Sequence, residues 1–180
     1  MARVRGEWAL DSSSALPFLQ DPSHDVRRGA QQILYANHDL TAEQLMGLIS
    51  SPFVDVRQFV LSASRTVGRD AAKQILYELL LDESTPVRRQ VITEFARQRF
   101  PDAVDILAAS LDDDSNEIKQ AALTGLFQLA TDDSVKILQQ FARETENDDL
   151  RAMVLSVLAH RARLNQASPA QPSPRSPPQP

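Results

Sequence analysis

The 180-residue chain contains no cysteine, which excludes disulfides, thiol catalysis and every cysteine-ligated metal site. Glycine is scarce as well, with five residues in all, and no glycine-rich phosphate loop, HExxH helix or nucleophile elbow occurs. Long apolar runs are missing. The apolar cluster from Ile75 to Leu81 is broken by Glu78, well short of the ~20 apolar residues that a spanning helix needs. No segment alternates as a half-buried strand does, which leaves an all-α chain. Only three lysines are present and the net charge is −5, so the whole-molecule field disfavours nucleic acid and anionic membrane unless cations gather on one face. The beginning of the chain, with Arg3, Arg5, Glu7 and the single tryptophan, Trp8, lacks the apolar segment of a signal peptide. A cytoplasmic location is the resulting expectation.

What the chain does contain is a repeat. An acidic or capping residue, an aliphatic residue and a base recur as Asp25-Val26-Arg27, Asp55-Val56-Arg57, Pro86-Val87-Arg88, Glu117-Ile118-Lys119 and Asp149-Leu150-Arg151. The aliphatic heads stand at 26, 56, 87, 118 and 150, so the period is 30, 31, 31 and 32 residues. A fixed period of that size marks a stacked array in which each unit buries its apolar face only against its neighbours.

Each unit reads as two helices. The second members are expected over residues 23–37, 54–67, 85–98, 115–130 and 147–164, with Gly68 stopping the second of them. Three positions before the heads lie Ser23, Phe53, Ser84, Ser115 and Asn147, four of which are good N-caps. Four positions after the heads lie Ala30, Val60, Val91, Ala122 and Val154, and eight after them Leu34, Ser64, Phe95, Leu126 and Leu158. Steps of four share one helix face, so these columns form a continuous core in which Ser64 is the weak point. The first members are expected over residues 15–19, 41–49, 70–81, 101–111 and 132–144. Thr41-Ala42-Glu43-Gln44 opens the second of these with a capping box.

The run Leu80-Leu81-Asp82-Glu83-Ser84-Thr85-Pro86-Val87-Arg88, matched by Leu19-Gln20-Asp21-Pro22-Ser23-His24-Asp25-Val26-Arg27, resembles the short HEAT-like repeats also found in phycobilin lyases. The resemblance implies a right-handed α-solenoid of about five helical hairpins over residues 15–164; because the open end of a stack must be covered, residues 1–14 are expected to be an N-terminal cap whose Trp8 packs over that end. The resemblance also implies that the second helices line a concave side. Residues 165–180 hold six of the 11 prolines among serine, glutamine and alanine, and are expected to be a disordered tail. The PxxP spacing of Pro174-Arg175-Ser176-Pro177 is common in such tails.

Candidate chemistry is thin. His24 and His38 would stand ~20 Å apart on one helix at 1.5 Å per residue, and with His160 they read as surface residues. Asp112-Asp113-Asp114 lacks the alternating ligands and glycine of a calcium loop and reads as a solvated turn. Neither a metal, a cofactor nor a catalytic residue is expected. The basic column Arg27, Arg57, Arg88, Lys119 and Arg151 reads as an inter-repeat structural ladder to turn acids such as Asp21, Asp82 and Asp113, with Ser51 breaking the pattern. Such partly exposed pairs would contribute ~0–1 kcal/mol each.

Positions two, six and nine after the heads oppose the core columns. They hold Arg28, Gln58, Arg89, Gln120 and Ala152, then Gln32, Ser62, Thr93, Thr124 and Ser156, then Tyr35, Arg65, Ala96, Phe127 and Ala159. Three arginines and no acid among these positions, in a chain with 24 acids, describe a neutral to basic contact face. The reading is a non-catalytic scaffold or adaptor that binds an acidic segment of a partner protein through Arg28, Tyr35, Arg65, Arg89 and Phe127. A second reading, carried by the resemblance, is a bilin lyase or bilin-handling phycobilisome accessory protein in which the arginines meet propionates and Tyr35 or Phe127 stacks on the tetrapyrrole. DNA binding ranks last because of the net charge.

Overall fold

The computed structural model describes residues 11–167, so Trp8 and the PxxP motif lie outside the described residues. Ten α-helices occur among those residues: α1 (Ser12–Ala15), α2 (His24–Asn37), α3 (Ala42–Leu48), α4 (Val54–Ala63), α5 (Arg69–Leu79), α6 (Thr85–Gln98), α7 (Ala103–Ala109), α8 (Asn116–Leu129), α9 (Asp132–Glu144) and α10 (Asp148–Ala167). Short 3-10 turns follow α1, α4 and α7. They pair as five hairpins, α1 with α2 through α9 with α10. The second members also pack in series, α2 on α4, α4 on α6, α6 on α8 and α8 on α10, while α3 meets α5 and α7 meets α9. Two parallel layers of helices with contacts only between neighbouring repeats make an α-solenoid.

The core lies between the layers, in the columns the period defines. Val56, Val87, Ile118 and Leu150 are buried, as are Ala30, Val60, Val91, Ala122, Val154, Leu34, Phe95 and Leu126. Ser64 is fully buried too, and its hydroxyl donates to the Leu61 carbonyl at 2.9 Å, so a polar side chain is accommodated without an orphaned donor. The two ends of the array deviate. Val26 is 39% exposed, and Leu155 is 52% exposed although its counterparts Leu61, Ile92 and Leu123 are buried. The first hairpin opens with a single α-turn and a 3-10 turn, and no described helix follows α10.

Helix ends depart from expectation in three ways. Gly68 does not terminate α4 in a left-handed conformation; its φ is −58°, and it precedes α5 as the N-cap. The left-handed C-caps are His38, Arg99 and Ala130, at φ 54°, 50° and 55°, each twelve residues after its head. Second, the side chains of Ser23, Ser84 and Ser115 accept no capping hydrogen bond. Their backbone amides instead donate to Asp21, Asp82 and Asp113, each at 2.8 Å, so the residue two earlier shapes the turn. Third, α10 runs to Ala167, three residues into the expected tail, because proline first reappears at Pro169 and nothing before it removes a helical donor. The capping box at Thr41 is present in both directions, 2.8 and 3.2 Å. Among the described residues no helix is long and apolar enough to cross a membrane.

Candidate partner-binding site

The basic column is a ladder between repeats, and its rungs run forward to the next repeat. Arg57 reaches Asp82 at 2.6 Å, Arg88 reaches Asp113 at 3.2 Å and Arg27 reaches Asp55 at 2.9 Å. Each of these arginines also donates back to its own turn, to the carbonyl of Asp21, Ser51 or Asp82. Asp21 therefore does not pair with Arg27 through its carboxylate, and Asp82 serves Arg57 rather than Arg88. Ser51 accounts for the exception in the second repeat. It supplies no carboxylate for Arg27, which turns to Asp55 one helical turn on and lies 3.9 Å from the centroid of the Phe53 ring, a cation–π contact. Burial pushes the Asp55 carboxyl up, but the hydrogen bonds and charge of Arg27, with Gln31, hold it below the usual range. Asp113 is likewise depressed against its burial by the Ser115 amide and Arg88, while Asp112 and Asp114 remain exposed.

The ladder ends at the last repeat, whose turn position is Thr145. Lys119 meets no acid there and forms no ion pair among the described residues, and Arg151 folds back on its own Asp148 and on the Thr145 carbonyl. A second set of arginines, not anticipated from the sequence, works at the opposite helix ends. Arg69 donates to the carbonyls of Gln98 and Arg99 at the end of α6, Arg99 to those of Gln128 and Leu129 at the end of α8, and Arg161 to that of Ala130. These cations satisfy the last carbonyls of a helix and complement its dipole. The 30-residue step from Arg69 to Arg99 was the available signal.

Of the expected contact face, positions two and six are exposed except on α4, where Gln58 and Ser62 are half-buried. Arg28, Arg89, Gln120, Gln32, Thr93, Thr124 and Ser156 are exposed. Ser62, Thr93 and Thr124 turn their hydroxyls back to the carbonyls of Gln58, Arg89 and Gln120. Position nine is different. It faces position seven of the next second helix, and this register sets the spacing of the layer. Arg65 pairs there with Glu94, Ala96 meets Gly125, and Phe127 and Val157 line one gap. Ala96 is accordingly buried, Phe127 half-buried, and Arg65 engaged.

Glu94 is the residue that sequence reasoning missed. It is 2% exposed in a column otherwise made of Ile33, Ala63, Gly125 and Val157, and a lone acid in an apolar column was its signature. Burial pushes its carboxyl up, yet Arg97, at 2.7 Å, and Arg65 together hold it below the usual range.

Between α6, α8 and α10 the exposed face sinks into a groove of about 520 Å³. Arg89, Thr93, Gln120, Thr124 and Gln128 supply its polar lining, and Met153 lies on its α10 side. Glu117 stands at the N-terminal end of α8, so the groove is not free of acid as the fifteen positions suggested. The Arg89 guanidinium forms no hydrogen bond or ion pair with another described residue, and neither does that of Arg28 on α2. Tyr35 is 51% exposed on α2 and contacts His38 at 5.4 Å between ring centroids. Two helices stand between α2 and α8, so at ~9 Å per helix Tyr35 and Phe127 lie ~27 Å apart and face no common space.

A comparison with curated proteins finds no match. The family model of HEAT repeats matches residues 12–94 and 80–159, which together span the hairpins from α1 into α10. With the forward arginine ladder and the paired helical layers, this match means that the chain belongs to the HEAT repeat family.

Proposed function

We propose that the protein is a non-catalytic scaffold that holds an acidic segment of a partner protein in the groove between α6, α8 and α10. HEAT repeats generally mediate protein–protein interaction. The observation that supports the groove is Arg89, an exposed guanidinium without a partner among the described residues, on the wall of a depression of about 520 Å³ whose remaining polar lining is amides and hydroxyls apart from Glu117 at the N-terminal end of α8. A guanidinium so placed meets a carboxylate through two parallel hydrogen bonds without first breaking an internal pair. Arg28, on the same face two helices away, extends the cationic track toward the first repeat.

The test compares the proteins captured from the native cell by the wild type and by the double variant Arg28→Glu, Arg89→Glu, at physiological salt. Reversal of both charges is expected to remove the specific partner from the captured set. Capture of the same proteins in the same amounts would place the binding surface elsewhere.

A further inference from the structure

Beside the groove lies a second opening of different chemistry. A slot of about 130 Å³ sits between α8 and α10, walled by Leu123, Phe127, Leu138, Val154 and Val157, and it shares Thr124 and Met153 with the groove. Its origin is in the register of the layer. Position nine of one second helix faces position seven of the next, and between α6 and α8 this is Ala96 against Gly125, a pair so close that a Cβ on Gly125 would lie 2.9 Å from that of Ala96. One repeat later the same two positions are Phe127 and Val157. Two large side chains replace two small ones, so α10 is held off α8 and a gap opens at their flank.

The slot is more than a packing fault. Leu123, Leu138 and Val154 form its buried floor, whereas Phe127, Met153 and Val157 are half-buried and Thr124 is exposed, so it opens to solvent on the side of the groove. An apolar cavity of ~150 Å³ accepts benzene. A space of 130 Å³ therefore suits one leucine, isoleucine, methionine or phenylalanine side chain, which would gain both burial and the dispersion contacts that the empty space forgoes.

We infer that this slot is an anchor subsite: the segment that meets Arg89 with an acidic residue inserts a neighbouring large apolar side chain between Phe127, Met153 and Val157. The inference rests on the groove reading and adds the second half of the recognition motif. Arg89 selects charge, and the slot selects an aliphatic or aromatic residue of limited size. Because Thr124 and Met153 border both spaces, the two ligand residues lie close along the bound chain.

The experiment is selection of a displayed library of random dodecapeptides on the full-length protein, repeated on Arg89→Glu and on Val157→Phe, which fills the slot from its rim. Selected peptides are expected to combine Asp or Glu with Leu, Ile, Met or Phe at fixed spacing, and alanine at the apolar position should weaken binding about tenfold or more. Val157→Phe should lose the apolar preference, and Arg89→Glu the acidic one. In the wild type, the Leu138 methyl resonances, which line the slot and not the groove, should shift on titration of a selected peptide; this reads out the slot even if Val157→Phe does not fold. Acidic peptides without an apolar preference, leaving Leu138 unmoved, would overturn the anchor while sparing the groove. Apolar enrichment without acid would keep the slot and overturn the groove, and no enrichment would overturn both.

Discussion

Arg57 of the second repeat and Asp82 of the third meet at 2.6 Å with side chains 6% and 4% exposed. This rung is a buried ion pair, whereas the sequence reading expected partly exposed ones, as Arg88 and Asp113 are at 20% and 22%. Asp82 raises the Arg57 pKa against its burial, so the guanidinium is charged throughout the working range. Removing one member of a buried pair strands the other. Arg57→Ala is expected to lower stability by about 3–5 kcal/mol in urea denaturation. Arg151→Ala, whose pair with Asp148 is solvent-exposed, should change it by less than about 1 kcal/mol. Similar losses at both positions would show that burial does not set the strength of the ladder.

Gly125 permits the closest approach in the second-helix layer. An added Cβ would lie 2.9 Å from Ala96 and 3.0 Å from two Leu107 methyl carbons. Alanine in a helix interior ordinarily gains ~1 kcal/mol over glycine, but overpacking a tight contact costs about 1–3 kcal/mol, so Gly125→Ala is expected to be destabilising on balance. At Gly29 and Gly47, where open space surrounds the position a methyl would take, the same substitution should stabilise by about 0.5–1 kcal/mol. Thermal melts of the three variants check the sign at each position.

Acid should weaken the array through identifiable groups. The carboxyls of Asp55, Glu94 and Asp113 are depressed in the folded state. Their contribution is therefore fully present above the unfolded carboxylate values near ~4 and is lost as pH falls through the folded values. The urea midpoint is expected to hold from neutral pH to about pH 5 and then drop steeply. Glu94→Gln should flatten that drop, because the amide no longer has a proton to take up. An unchanged slope in the variant would remove Glu94 from the account.

The period made the fold legible. Heads spaced about thirty residues apart fixed the number of hairpins, and columns at steps of four located Val60, Val91 and Ala122 in the core from residue spacing alone. The site was only partly legible, because a helical wheel assigns faces within one helix and says nothing of register between helices. That limit is why Arg65 and Ala96 read as outward-facing although they abut Glu94 and Gly125 of the next helix. It is also why the ladder was legible as one between repeats but its direction was not, Asp82 and Asp113 serving the arginine of the repeat before.

Arg28, Arg65 and Arg89 look equivalent in sequence, and the structure separates them. Arg65 pairs with Glu94, whose side chain is 2% exposed and shared with Arg97, whereas Arg28 and Arg89 project from the layer without partners among the described residues. Reversing Arg28 and Arg89 places carboxylates in solvent, and exposed substitutions of this kind usually change stability within ~0.5 kcal/mol. Arg65→Glu instead sets a second carboxylate against a buried one, where like charges raise the free energy of the folded state and Arg97 alone must neutralise both. Arg65→Glu is thus expected to lower the melting temperature by several degrees, and the Arg28, Arg89 double reversal to leave it unchanged while reducing partner binding. Arg65→Met, which removes the charge without adding an acid, should fall between them. A melting temperature unmoved by Arg65→Glu would mean that Glu94 is held by Arg97 alone, returning Arg65 to the set of residues available to a partner.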